Sequence, residues 1–493
     1  MVTLEEVRDK SLLQKPSGNA TEPLERSSSN YHPLQTFTLG KDLQYQQQFA
    51  DIYFLRLTKI KPAVEKVAEA SWEETVIGGE RAKPVDRVLD VRQGELCWIT
   101  GTVYMDMPLK PNILEDVSKD RWISAPTTVD KYYSEDGRDS IMLEDDSGRI
   151  RLVGETLEQY VLVTGCIIAA LGTENSNGEF DVIDVKFADL APQPSRWELS
   201  KQKDEDVEMS DTPPPGQGKQ IALVSGLEFS GSDTSYAMDL NLLLEFLLGD
   251  ALDPTAQRSV SQISRLIIAG NSTLPSEEVF AEKKTVTKKY GYDSSSYNAL
   301  PSQLFDDFLN ELLPSLPVTL LPGASDPANA SYPQQPIHAA MFPKSKMYTS
   351  VPDAPEPGWL DNVTNPWEGE VEGWRFLGTG GQNLDDMAKY VDSNNRLGMM
   401  EAMCRWRCSA PTAPDTLWAY PFQDDEPFVM KECPHLYFIG GQPEFATRVI
   451  HGPDGQSVRL ICVPSFSKTR EIVLVDAETL DVSRVKISVS GLS

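Results

Sequence analysis

Apolar residues recur at three- and four-residue spacing through Phe49, Tyr53, Leu57, Ile60, Val64 and Val67, which sets them on one stripe of an α-helix. Pro62 falls inside that stretch, and because its ring removes a backbone donor the helix is expected to bend or break there. Residues 1–38 are rich in Ser, Asn, Glu and Pro without a sustained apolar period, the composition of a disordered, mobile arm. Beyond about Gly94 the period shortens towards two. GELCWITGTVYMDM reads as one strand, SIMLEDDSGRIRLVG as two strands joined by an Asp-Ser-Gly turn, and YVLVTGCIIAALG and GEFDVIDVKFADL as two more.

About five short strands behind a packing helix suit a small closed barrel of the oligonucleotide-binding (OB) type, over residues 39–195. Residues 196–219 break all periodicity with Pro, Gly and acids and read as a linker or inserted loop. From 220 to 493 the pattern changes in kind. Apolar runs (IALVSG, RLIIAG, VTLLPG, LYFIGG, RLICVP, EIVLVD) alternate with helical segments such as YAMDLNLLLEFLLG and PSQLFDDFLNELLP, the mark of an α/β sandwich with helix-covered sheets.

Composition adds limits to this outline. A chain of 493 residues with 40% hydrophobic content exceeds what one core organises, so two or more globular units are expected. Its net charge of −29 repels phosphate backbones at long range, so any contact with nucleic acid is expected to be local or indirect. The opening residues lack the basic-then-apolar order of a signal peptide, and no run approaches the roughly 20 apolar residues of a spanning helix. Six dispersed cysteines in a chain of this size point to a reducing compartment. Cys404 and Cys408 would share a helix face, but a closed zinc site needs four ligands and no His stands near, so both read as half-buried thiols.

Several strands end in glycine turns, IALVSGLEF, LIIAGNS and LLPGASDP, and such turns are where α/β folds place their chemistry. The arrangement resembles the calcineurin-like metallophosphoesterase superfamily. That resemblance implies an Asp-x-His, a Gly-Asp, a Gly-Asn-His and a late Gly-His-x-His, which together hold two metal ions that activate water. Here Gly226 and Glu228 stand at the first Asp and His, Asn271 at the bridging carboxylate, Ala324 and Ser325 at the Asn and His of the third turn, and Gly441 in the late turn. Catalytic, metal and cofactor residues are therefore expected to be absent from this chain, and the sandwich to be inactive. The histidine supply agrees: the chain owns only His32, His338, His435 and His451.

Other catalytic signatures are missing as well. There is no phosphate-loop motif, no G-x-S-x-G elbow and no H-E-x-x-H pair. LGTGGQN at 377–383 has no following lysine and reads as a tight strand-to-helix turn. His435 reads as a hydrogen-bonded structural histidine at a strand start.

Three longer blocks, at 321–343, 363–390 and 410–445, are similar to the B-subunits of eukaryotic replicative DNA polymerases, and the last of them, continued by RLICVPSFSKTREIVLVD, is most similar to the small subunit of the delta enzyme. The short segment before Tyr45 favours delta over the alpha and epsilon branches, whose B-subunits carry a further helical domain. The resemblance implies a nuclear, non-catalytic scaffold in DNA replication and repair. It implies that the chain grips the cysteine-rich C-terminal domain of the polymerase delta catalytic subunit, which carries an iron-sulfur cluster of its own. It further implies contact with a third polymerase delta subunit and, through it, indirectly with the sliding clamp. Little or no direct DNA binding and no membrane association are expected: between Asp106 and Asp146 eleven acids stand against five bases. Trp122, Tyr132 and Tyr133 in that stretch read either as anchors for a protein partner or as core packing. The rival readings are a sister B-subunit, an active metal-dependent phosphodiesterase or nuclease, and a free single-strand binder.

Overall fold

The computed structural model describes residues 24–40, 50–111, 130–200, 218–250, 253–274, 298–349 and 357–487. Helix α1 (Ala50–Trp72) runs unbroken through Pro62, which faces solvent. Its buried row is Ile52, Arg56, Ile60, Val64, Ala68 and Trp72. Of the stripe expected from sequence, Ile60 and Val64 belong to this row, Tyr53, Leu57 and Val67 are half-buried beside it, and Phe49 lies outside the described residues. Neighbouring i+4 rows both carry apolar residues, and only the packing partner selects between them.

The hairpin β2 (Val76–Ile77) and β3 (Glu80–Arg81) leads into β4 (Lys83–Val85), which pairs with β5 (Cys97–Asp106). Strands β6 (Ser140–Glu144), β7 (Arg149–Val153), β8 (Ile167–Glu174) and β9 (Glu179–Lys186) complete a barrel. The ladder runs β5-β6-β7-β9-β8 and returns to β5, so the sheet closes. Closure depends on β5, whose first half pairs with β8 and whose second half pairs with β6. Gly101 sits at this change of partner, where a Cβ would stand 2.5 Å from the Glu144 carbonyl oxygen, so a side chain would push the two strands apart. Ile99, Val103, Leu143, Leu152, Ile168 and Phe180 fill the barrel. Strand β8 is buried on both faces because Ile167, Ala169 and Leu171 turn outward against Ile60, Val64 and Ala68 of α1, which is why its sequence is a continuous apolar run.

The second domain stacks two six-stranded sheets face to face. One sheet is ordered β13-β12-β11-β10-β19-β20, built from β10 (Gln220–Val224), β11 (Ile263–Ala269), β12 (Val318–Leu321), β13 (Leu360–Asn362), β19 (Glu471–Asp476) and β20 (Val482–Lys486). The other is ordered β1-β14-β15-β16-β18-β17, built from β1 (Tyr31–Pro33), β14 (Trp367–Val371), β15 (Trp374–Thr379), β16 (Leu436–Gln442), β17 (Ala446–His451) and β18 (Ser457–Pro464). Ile221, Leu223 and Ile267 meet Trp367, Phe376 and Phe438 between them.

Helices α2 (Thr234–Leu248), α3 (Pro254–Ser261) and α4 (Leu300–Leu312) cover the first sheet. Helix α2 starts where the Asp233 carboxylate accepts from the Ser235 and Tyr236 amides, and stops at Gly249 with φ +81°. The short helices α5 (Gln382–Met387) and α6 (Arg396–Arg405) lie on the other sheet, and α7 (Phe466–Thr469) follows β18. The core beneath α5 and α6 is continuous with the barrel core, so the two domains share one apolar interior.

Two boundaries differ from the sequence reading. Part of the expected arm, residues 24–38, belongs to the fold: β1 pairs antiparallel with β14, and Tyr31 and Phe37 are buried. A three-residue edge strand is held by backbone hydrogen bonds and leaves no apolar period by which to detect it. The expected linker also begins late. Trp197 donates its backbone N–H to the Gly373 carbonyl at 2.8 Å, and Arg196 pairs with Glu478 at 2.7 Å, so residues 196–200 are fixed. The remainder of both segments, 1–23 and 201–217 with Ser210 and Thr212, lies outside the described residues.

Candidate functional site

The glycine turns after β10, β11, β12 and β15 and the Gly440–Gly441 pair at the end of β16 converge at the carboxyl ends of their strands, and they meet backbone to backbone. A Cβ on Gly270 would stand 2.9 Å from the Gly323 Cα and 3.0 Å from the Gly380 Cα, so only glycine permits this approach. Hydrogen bonds lock the turns together: Gly226 N to Gly270 O at 3.0 Å, Glu228 N to Asn271 O at 3.0 Å, and Gly441 N to Ser225 Oγ at 2.7 Å. The Ser225 hydroxyl donates onward to the Ala269 carbonyl at 2.6 Å.

The degenerate positions are brought together unequally. Gly226, at φ +63°, is pressed on Ser465: a Cβ there would overlap the Ser465 hydroxyl and stand 2.9 Å from its Cβ. The side-chain oxygen of Asn271 accepts from the Ser325 amide at 3.2 Å and from its hydroxyl at 3.3 Å. A Cβ on Gly441 would come within 3.2 Å of the Asn271 amide nitrogen. Ala324 is exposed and Glu228 is half-buried at φ +48°; no side-chain hydrogen bond joins either to the cluster.

The buried carboxylate at this floor, Asp326, is already saturated. Asp326 Oδ1 accepts from the Thr273 amide (2.8 Å) and hydroxyl (3.1 Å), and Oδ2 accepts from the amides of Ser272 (3.1 Å) and Gly323 (2.8 Å). These four bonds use its four lone-pair directions. Burial pushes this carboxyl upward, and the same four donors pull against that shift.

Sequence reasoning missed the rest of the cluster, which consists of neutral amides. Asn365 accepts from the Gly380 amide at 2.9 Å and the Tyr332 hydroxyl at 3.1 Å, and donates to Gln334 and Gln382 at 2.9 Å each. Gln334 donates to the Gly323 carbonyl at 3.2 Å, tying this net to the glycine turns. Among the described residues, no three His, Cys, Asp or Glu side chains are grouped so as to hold a metal ion. The residues present therefore do not fit a dinuclear centre: amides carry no charge to offset two cations, the buried Asp326 carboxylate has no free lone pair, and Glu228 alone cannot hold two ions.

LGTGGQN forms the expected turn, from β15 into α5. His435 Nδ1 accepts the Arg375 amide at 3.1 Å, and burial lowers its imidazole to about 4. His338 is exposed and accepts the Ala340 amide at 3.2 Å, while His451 is exposed at the end of β17. His32 lies on β1 rather than in a mobile arm. Cys404 and Cys408 are fully buried rather than half-buried, with burial holding both thiols above their ordinary range.

Tyr132 packs edge-on to Tyr390 and donates to Asp386 at 2.8 Å, and Tyr133 donates to Asp392 at 3.0 Å. Both bind the barrel loop to the second domain, with Tyr132 buried and Tyr133 half-buried; Trp122 lies outside the described residues. On the barrel, two cations lie over the Tyr104 ring, Lys110 at 4.3 Å and Arg149 at 4.5 Å. Lys110 is itself paired with Asp415 at 2.7 Å, and Arg149 with Glu144. No helix among the described residues is long and apolar enough to cross a membrane.

Comparison with known proteins places both halves. Residues 48–185 match the family described as the OB-fold domain of the DNA polymerase delta subunit, and residues 221–447 match the B-subunit family of DNA polymerases alpha and epsilon. The chain is 35% identical over 465 residues to the DNA polymerase delta small subunit of Arabidopsis thaliana, covering 94% of this chain and 97% of that one. It is 34% identical to the DNA polymerase delta small subunit of Saccharomyces cerevisiae, over 91% of each chain. Identity to DNA polymerase delta subunit 2 of Drosophila melanogaster is 32%, over 94% of this chain and 99% of that one. A barrel joined through one core to a sandwich with a filled cleft, matched on both halves, defines the B-subunit class of DNA polymerase accessory proteins. Within that class the chain belongs to the family of DNA polymerase delta small subunits.

Proposed function

We propose that this chain is the non-catalytic scaffold of a nuclear DNA polymerase delta, with an OB barrel packed on an inactive sandwich of calcineurin-like descent. In this reading it bridges the cysteine-rich C-terminal domain of the catalytic subunit to a third, clamp-binding subunit during replication and repair synthesis. Any iron-sulfur cluster belongs to the catalytic partner. The observation that carries the reading is the state of the cleft: Gly226 is pressed on Ser465, and every lone pair of Asp326 is already used. Substrate and metal alike would need the space and the charge that these contacts consume.

The barrel favours the same reading. A single-strand groove needs free cations and open aromatic faces, whereas here Lys110 and Arg149 are both ion-paired and both lie over Tyr104. Little direct DNA binding follows, and the net charge of −29 opposes it further.

Co-expression with the catalytic and third subunits, followed by size-exclusion chromatography, tests the scaffold role. One stoichiometric complex is expected, and loss of the third subunit from it when this chain is withheld. The idea fails if the other two subunits associate equally well without it. Manganese-stimulated hydrolysis of a model phosphodiester by the purified chain would instead favour the enzyme reading.

A further inference from the structure

On the layer of the sandwich opposite the barrel, a groove of about 290 Å³ runs between α2 and α4, at the small end of the range of ligand sites. A row of α2 (Asp233, Ala237, Leu240, Leu244) faces a row of α4 (Leu304, Phe308, Glu311) across it, each at the three- and four-residue spacing that sets side chains on one face. The floor is apolar. Leu240, Leu244 and Phe308 are buried there, and Phe229 closes it with its ring 5.5 Å from that of Phe308. Ala237 is exposed and contributes only a methyl, which leaves the space between the helices open.

The rim is acidic. The residues lining the groove include three carboxylates, Asp233, Asp307 and Glu311, and no lysine or arginine. Lys344 pairs with Asp307 from outside the groove, and Arg470, which also acts on Asp233, is held by Asp239 at 2.6 Å. Three carboxylates less the one that Lys344 offsets leave two negative charges. Glu311, exposed in the last turn of α4, forms no ion pair among the described residues. Neither helix carries a basic residue in its last turn, so the partial negative charge of their carboxyl ends adds to the same sign.

We propose that this groove takes an amphipathic helix of another protein, with large apolar anchors on one face and Lys or Arg flanking them. The anchors fill the space above Leu240, Leu244 and Phe308, and the flanking cations meet Asp233 and Glu311. A helix suits the groove better than an extended segment. The backbones of α2 and α4 are bonded within themselves and offer no ladder, so a strand laid between them would leave its own N–H and C=O groups unpaired, whereas a helix arrives with those groups satisfied. The field of a chain with net charge −29 draws a cationic segment in, and the apolar floor supplies the selectivity that charge lacks. A second copy of this chain is disfavoured, because it carries the same charge. The inference is independent of the scaffold reading: it concerns the face away from the barrel and is tested on this chain alone, so its failure leaves that reading untouched.

The probe is a fluorescein-labelled helical peptide of Leu, Ala and Lys, with Leu at i, i+4, i+7 and i+11 and Lys flanking that stripe, titrated by anisotropy into the full chain at physiological salt. Its control has the same composition in an order that scatters the leucines around the helix. Saturable binding of the striped peptide is expected, at least tenfold tighter than that of the control. Ala237→Trp, which fills the groove, should weaken it at least tenfold, and Glu311→Lys, which reverses a rim charge, at least twofold. Both substitutions fall on exposed residues, so the variants should melt like the parent. Absence of saturable binding, equal binding of the two peptides, or binding that Ala237→Trp leaves unchanged overturns the proposal. So does a tenfold gain in a chain with Gln in place of Lys283, Lys284, Lys288 and Lys289, since that result assigns the groove to the chain's own basic segment.

Discussion

Arg56 Nη2 lies 3.5 Å from Glu426 Oε2 with both side chains fully buried, and this pair joins α1 to a loop 370 residues away. The same guanidinium donates to the carbonyls of Pro411 at 2.6 Å and Ala413 at 2.8 Å, and reaches Gly165 of the barrel at 3.4 Å. Helix, barrel and second domain thus meet on one side chain. Gly165, at φ +91°, is obliged to be glycine here, because a Cβ would overlap the Pro411 carbonyl and stand 2.6 Å from Arg56.

Removing one member of a buried pair leaves the other charge without compensation, typically a loss of about 3–5 kcal/mol. Arg56→Ala is expected to cost that much in denaturant unfolding and to expose the junction to proteases. A loss below about 1 kcal/mol would show that the domains hold together without this contact.

Restoring the missing acid at the first turn is expected to fail. Gly226→Asp forces a side chain into left-handed backbone, at about 1–2 kcal/mol, and into the space of Ser465, at about 1–3 kcal/mol. Melting should fall, with no manganese-stimulated hydrolysis, and adding Ser465→Gly should recover the steric share. Gain of diesterase activity in the single variant would refute the argument from packing.

Asp326→Ala strips four donors of their acceptor, three of them backbone amides. Unsatisfied buried donors cost about 1–3 kcal/mol each before the loop relaxes, so a stability loss of several kcal/mol is expected. Calorimetry of a soluble variant with an unchanged transition would place the residue outside the structural role given to it.

His435 sets a pH dependence whose sign follows from burial. Its imidazole is lowered to about 4, against about 6.5 when unfolded, so between these values the unfolded chain binds the extra proton. The contribution is complete above about pH 6.5 and is lost as pH falls towards 4. It amounts to no more than about 3 kcal/mol, less after allowing for solvent screening. Unfolding midpoints of His435→Gln should decline less steeply over that window than those of the parent, and parallel curves would contradict the assignment.

Much of the architecture was legible because it is local. The six apolar runs of the second domain became β10, β11, β12, β16, β18 and β19, and the five barrel segments became β5 to β9. Each has an apolar run or alternation bounded by turn residues, a signal carried within ten residues. Strand β1 and the Gln334–Asn365–Gln382 net were not legible. The first is three residues of edge pairing, and the second joins amides 17 to 48 residues apart, whose types carry no local signature.

From the order of residues alone it was settled that Gly226, Asn271, Ala324, Ser325 and Gly441 bring neither carboxylate nor imidazole to the converging turns, because no fold can make an amide or a hydrogen atom ionise. Only the tertiary structure decided that the space itself is taken. Ser465 comes from 239 residues away to fill the place beside Gly226, and Ser272, Thr273 and Gly323 consume the lone pairs of Asp326. Those outcomes depend on distances between atoms remote in sequence, and such distances exist only once two sheets, their helices and a barrel have packed around a shared core.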